Sequence, residues 1–70
     1  MELRRVSSSN LHAVGYDATT LKLRVKFHSG SVYEYSDVPE WQYTRLMGAT
    51  SKGSYFDAYI KDKYTTRRIL

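Results

Sequence analysis

The sequence contains no cysteine, and only one proline, four glycines, two histidines and one tryptophan among its 70 residues. Without cysteine there is no disulfide framework, no thiolate zinc centre and no cysteine nucleophile. The histidines, His12 and His28, lie far apart and lack the His-x-x-x-His type of spacing, so no metal site is expected. No glycine-rich run has the phosphate-loop pattern. No apolar run approaches the roughly 18–20 residues that span a bilayer. The first residues, Met1-Glu2-Leu3-Arg4-Arg5-Val6, carry two bases but no following apolar stretch, unlike a secretory leader. Asp17, Asp37 and Asp57 are better explained as turn or cap residues than as general bases. The expectation is a non-catalytic cytoplasmic protein with no cofactor, no metal and no membrane association.

What the chain does have is apolar and aromatic mass. It is 41% hydrophobic and 14% aromatic, too apolar for intrinsic disorder, and its length allows one small domain. At roughly 0.05–0.15 kcal/mol per residue, net stability amounts to about 3–10 kcal/mol. Nearly every large apolar side chain is therefore needed in one core, and core filling is the default role of the seven tyrosines.

The formal charge is +4, and it is unevenly spread. Residues 51–70 hold five bases and two acids, whereas residues 36–50 hold one base and two acids. A basic end on a small domain suits an anionic partner, nucleic acid first. Ordinary solubility charge is the plainer alternative.

Leu21, Leu23, Val25 and Phe27 alternate with Lys22, Arg24, Lys26 and His28, the period of two that marks a half-buried strand. Leu11 to Tyr16 reads as a preceding strand, joined through the polar turn Asp17-Ala18-Thr19-Thr20. If that hairpin closes at Tyr16–Leu21, His12 lies opposite Val25. Val32-Tyr33-Glu34-Tyr35 forms a third strand. A two-residue Ser29-Gly30 turn would place Tyr33 and Tyr35 on the basic face, a platform for stacked bases. A three-residue His28-Ser29-Gly30 loop with Gly30 left-handed places them with Val25 and Leu23, and sets Arg24 across from Glu34. Glycine at the third loop position favours the second arrangement.

Two helices follow. Asp37-Val38-Pro39-Glu40 has capping-box spacing, and Pro39, Tyr43, Leu46, Met47 and Thr50 share one helical face that excludes Trp41. A second helix starts near Ser51-Lys52-Gly53-Ser54 and carries Tyr55, Phe56, Tyr59 and Ile60 to about Lys63. The fold class is α+β, a three-stranded antiparallel meander with two helices packed on one face. Residues 1–9 read as a flexible lead-in, 10–64 as the domain and 65–70 as a tail.

Three features carry functional promise. At the second helix start, Ser51, Lys52, Gly53 and Ser54 bring free N–H groups, hydroxyls and an ammonium together, which suits a phosphate. The alternative is a tight helix connection in which Gly53 serves the turn and the serines cap. Lys22, Arg24 and Lys26 form a basic stripe, either a solvated face or part of one surface with Lys52, Lys61, Lys63, Arg67 and Arg68. Trp41 is either a rim residue or a contact for a protein partner or stacked base.

Taken in order, Ser9-Asn10, Gly15-Tyr16-Asp17, Phe27, Gly30 and Tyr33-Glu34-Tyr35 resemble the KTSC domain family, and the series continues through Val38-Pro39, Ala49, Ser51-Lys52-Gly53, Tyr55-Phe56, Ile60 and Tyr64. The match runs over roughly residues 7–64. Thr50 stands where the family pattern has proline, and Trp41 where it has a small or polar residue. That family occurs at the C-terminus of some lysyl-tRNA synthetases and as a stand-alone bacterial protein, so the resemblance implies an RNA-related role without supplying a site. Two functions stay in view: an RNA or tRNA phosphate-backbone binding module, and a protein-interaction module using the sheet edge and Trp41.

Overall fold

The computed structural model describes residues 1–70. Its elements are β1 (Arg4–Arg5), β2 (Leu11–Asp17), β3 (Lys22–Phe27), β4 (Val32–Tyr35), α1 (Glu40–Gly48), α2 (Lys52–Tyr59) and β5 (Thr66–Arg68). The strands form one antiparallel sheet in the order β1-β2-β3-β4-β5. The expected meander is its centre, but the sheet has five strands rather than three. Both ends of the chain, expected outside the sheet, add its edges: Arg4 and Arg5 pair with Val14 and Ala13, and Thr66 to Arg68 pair with Tyr35 to Tyr33.

The hairpin between β3 and β4 sets the faces. Gly30 has φ 97, and its N–H donates to the Phe27 carbonyl while the Phe27 N–H donates to Ser31. The loop is thus His28-Ser29-Gly30, with Val25 opposite Tyr33, Leu23 opposite Tyr35 and Arg24 opposite Glu34. Tyr33 and Tyr35 therefore lie under the helices. Leu11, Val14, Leu23, Val25 and Tyr35 from the sheet pack with Val38, Leu46, Phe56 and Ile60 in one core. Phe56 meets Phe27 and Tyr35 edge to face, with ring centroids 5.6 and 5.5 Å apart.

The first hairpin departs from its expected register. Tyr16 pairs with Leu23, not Leu21, and Leu21 sits exposed in the turn with φ 57. Asp17 accepts the Thr19 N–H there, so the turn opens as an Asx turn, and this bond holds the carboxyl below its usual range. A bulge between Leu11 and Ala13 frees His12 from the ladder and sets it beside His28, ring centroids 5.5 Å apart. His12 is not opposite Val25.

The helix ends differ as well. Asp37 is left-handed at φ 60, so it does not cap α1; Pro39 stands at the cap with no side-chain bond. The turn instead drives Val38 into the core, where it is fully buried and its N–H donates to the Leu21 carbonyl. At the other end, α2 stops at Tyr59 rather than Lys63. The Lys61 N–H bonds back to Phe56, and Asp62 turns left-handed at φ 62, which reverses the chain toward β5. Gln42, a polar residue the helical pattern passes over, is buried at 5% exposure. It joins the two helices: its Oε1 accepts from the Tyr55 hydroxyl, and its Nε2 donates to the Tyr64 hydroxyl at 3.0 Å and the Tyr59 carbonyl at 3.4 Å.

On the open face, Glu34 is 6% exposed and lies between its two cross-strand neighbours. Arg24 Nε donates to Oε2 at 2.8 Å and Arg67 Nη2 to Oε1 at 3.1 Å. The bond from Arg24, with further charge from Arg24, Arg67 and Lys22, holds the carboxyl below its usual range despite burial. The stabilisation this shift provides is present above the ordinary glutamate range, about pH 4.3, and is lost as pH falls through the lower folded value.

Tyr35→Ala is expected to cost about 3–5 kcal/mol in urea unfolding, while the half-buried Tyr33 costs less on truncation. Glu34→Gln should flatten the acid limb of the stability profile between about pH 4.3 and lower values. Arg24→Ala should destabilise more than Arg67→Ala, because the Arg24 side chain is 36% exposed and that of Arg67 is 71%.

Candidate nucleic-acid interface and ligand cleft

Side chains that share a cross-strand row share a face of the sheet. Row by row, the face away from the helices carries Asp17 with Lys22, Gly15 with Arg24, Glu34 and Arg67, and Arg5 with Ala13, Lys26 and Val32. Met1 to Leu3 pack on it over Gly15, and Ala13 and Val32 are buried. Five cations, Arg5, Lys22, Arg24, Lys26 and Arg67, thus stand with two carboxylates, a local charge of +3. Glu34 orients the Arg24 and Arg67 guanidiniums, and Lys22 Nζ donates to Ser36 Oγ at 2.9 Å. Lys26 forms no ion pair. Partial desolvation, and then the charges of Arg5, Lys26 and His28, hold the His12 imidazole below its ordinary range.

The helices cover the other face, so the candidate residues divide between two sides. Lys22, Arg24 and Lys26 lie on the open side, joined there by Arg67. Ser51, Lys52, Gly53, Ser54, Lys61 and Lys63 lie on α2 or just beyond it. Their groups at the helix start are largely used within the protein. Ser51 caps α2 by accepting the Ser54 N–H, and its hydroxyl donates to Ser54 Oγ at 3.0 Å. Lys52 Nζ donates to the Ala49 carbonyl at 3.2 Å. Gly53 is buried because Asn10 crosses it: a Cβ there would stand 2.3 Å from Asn10 Oδ1. The close approach that glycine permits is therefore taken by the protein's own asparagine.

Lys61 belongs to a different feature. Between α2 and the β3–β5 end of the sheet lies a cleft of about 360 Å³. Phe27, Tyr33, Tyr35 and Phe56 form its aromatic wall, and Asn10, Asp57, Lys61, Asp62 and Thr66 supply its polar groups. Tyr35 is 4% exposed, and burial, followed by the neighbouring Tyr33 and Asp62, pushes its hydroxyl up to about 12. It stays protonated at any ordinary pH. This cleft is assembled from residues spread between 10 and 66, and no local motif announces it.

Trp41 stands out from α1 at 55% exposure, as the helical phase predicts, with the Arg45 guanidinium 5.2 Å from its ring centroid. No helix is long and apolar enough to cross a membrane.

This geometry has close relatives. A KTSC domain protein from Yersinia pestis superposes with a TM-score of 0.96 at 38% identity, over 99% of this chain and 97% of that one. A lysine–tRNA ligase of Trichormus variabilis is 49% identical over 49 residues, covering 70% of this chain. One from Nostoc sp. is 40% identical over 62 residues, 89% of this chain. The chain spans only 9% and 11% of these two ligases. An uncharacterized protein from Stutzerimonas stutzeri is 36% identical over 89% of this chain and 90% of its own length. The KTSC domain model itself matches residues 7–64, and the chain belongs to the KTSC domain family.

Proposed function

We propose that this domain is a non-catalytic RNA-binding module that holds the phosphate backbone of tRNA or a similar strand on the open face of its sheet. The observation that carries the reading is the cross-strand register, which brings Arg5, Lys22, Lys26 and Arg67 onto one surface with Arg24. Its kinship with segments of lysine–tRNA ligases supports an RNA ligand over other polyanions. Phosphate contacts position a strand without reading bases, so binding is weakly sequence-specific.

A second reading, a protein-interaction module, rests on Trp41 at 55% exposure and on the unpaired outer edge of β5.

With about four phosphate contacts, log affinity for single-stranded RNA should fall against log salt with a slope near −3. Lys26→Glu should weaken binding to every RNA tested and flatten that slope by about one, whereas Lys52→Glu should change neither. Loss of binding in Lys52→Glu with Lys26→Glu unaffected, or a salt-independent affinity, would move the site off the open face. Trp41→Ala should leave the melting temperature and RNA affinity unchanged. A fall in RNA affinity would make Trp41 a base-stacking residue, and loss of self- or partner association would favour the second reading.

A further inference from the structure

The cleft between α2 and the sheet is not used by the backbone-binding reading, yet its chemistry is specific. Tyr35 lies 96% out of solvent, and its hydroxyl makes no hydrogen bond to the protein. Every fully buried side-chain oxygen and nitrogen in the molecule has a partner, so this hydroxyl reaches open space, and the space Tyr35 lines is the cleft. The hydroxyl is therefore accessible, able to donate to and accept from whatever occupies that space. Here it is aimed into a cavity walled by Phe27, Tyr33 and Phe56.

The remaining groups narrow what fits. Asn10 Oδ1 is taken by the Ser8 hydroxyl, which leaves its amide N–H₂ as a donor. Asp57 and Asp62 accept, Lys61 donates, and Thr66, whose hydroxyl proton goes to the Tyr64 carbonyl, accepts. The two carboxylates oppose an anion such as phosphate, and the Lys61 ammonium opposes a cation. At about 360 Å³, the space lies at the small end of ligand sites and suits one ring system. What answers an aromatic wall, mixed donors and acceptors and charges of both signs is a neutral, flat heterocycle with exocyclic amino groups.

We propose that the cleft is a binding site for a single unstacked nucleobase of the adenine or cytosine type. That the base belongs to an RNA strand rests on the reading of the open face; that the cleft takes such a ring does not. Thr66 faces the cleft side of β5 while its neighbour Arg67 faces the open side, so a strand passing over this edge meets both.

The test is a residue-by-residue NMR titration of the intact chain with adenosine and cytidine, beside ribose 5-phosphate and guanidinium as controls. Adenosine or cytidine should shift Tyr33, Tyr35, Phe56 and Thr66, and the controls should not. Tyr35→Phe should keep the melting temperature, since its hydroxyl bonds nothing in the protein, yet weaken nucleoside binding about three- to tenfold, the loss of one hydrogen bond. Asp62→Asn, which suits the left-handed backbone there, should also weaken it. Nucleosides that leave the cleft unshifted, equal affinity in Tyr35→Phe, or stronger shifts with guanidinium would each overturn the site. An RNA strand that shifts only the open face overturns the base site and leaves the proposed function standing. Nucleosides that fill the cleft when RNA fails to bind do the reverse.

Discussion

Gly30 is the constraint on which both surfaces depend. Its left-handed backbone at φ 97 closes a three-residue loop, and nothing lies within 4 Å of where a Cβ would stand. Glycine is required there for conformation and not for space. Loop length then fixes parity, and parity in a strand decides the face of every side chain at once. One residue fewer would turn Tyr33 and Tyr35 outward and bring Glu34 under the helices. The core would lose two aromatic rings and take in a carboxylate, a change no domain of this size withstands.

The same parity organises the charge on the open face. Five cations crowded on one side of a small sheet repel one another, and in water each pair at 4 Å opposes by about 1 kcal/mol. Glu34 sits at the middle of the row and offsets that repulsion through Arg24 and Arg67, which hold it at 2.8 and 3.1 Å. Its burial makes the pair structural. Lys26 and Arg5, farther along the face, are left out of the ion pairs, so the pairing that stabilises this face rests on Arg24 and Arg67 alone.

The legible parts of the fold were those written in regular periods. The alternation from Lys22 to Phe27 gave β3 and its buried side, Gly30 gave the loop, and the helical phase of Leu46 and Met47 left Trp41 outside. The edge strands carry no such signal, because Arg4-Arg5 and Thr66-Arg67-Arg68 are exposed on both sides and too short to alternate. Leu21 and Asp37 misled for one reason: a left-handed residue ends a pattern that composition alone would extend. Asp62 did the same to α2. Gln42 carries no sign of burial in the sequence, since its burial depends on Tyr55 and Tyr64 arriving from elsewhere in the chain. The basic stripe was visible in sequence, but its union with Arg5 and Arg67 is a product of pairing between the chain ends and the meander.

A β-strand presents alternate residues to opposite faces, and this makes β5 more than an added edge. Thr66 contributes to the aromatic cleft, and Arg67 reaches Glu34 on the basic face. Both rows run to the same exposed border, where no further strand covers the backbone. A ligand with a charged backbone and flat side groups has the matching alternation of chemistry, anionic at one point and aromatic a few ångströms away. The proposed nucleic-acid ligand uses both chemistries, whereas an acidic protein surface would match the cations alone. The two surfaces are therefore not independent, because β5 supplies a residue to each and fixes their spacing through alternate side chains.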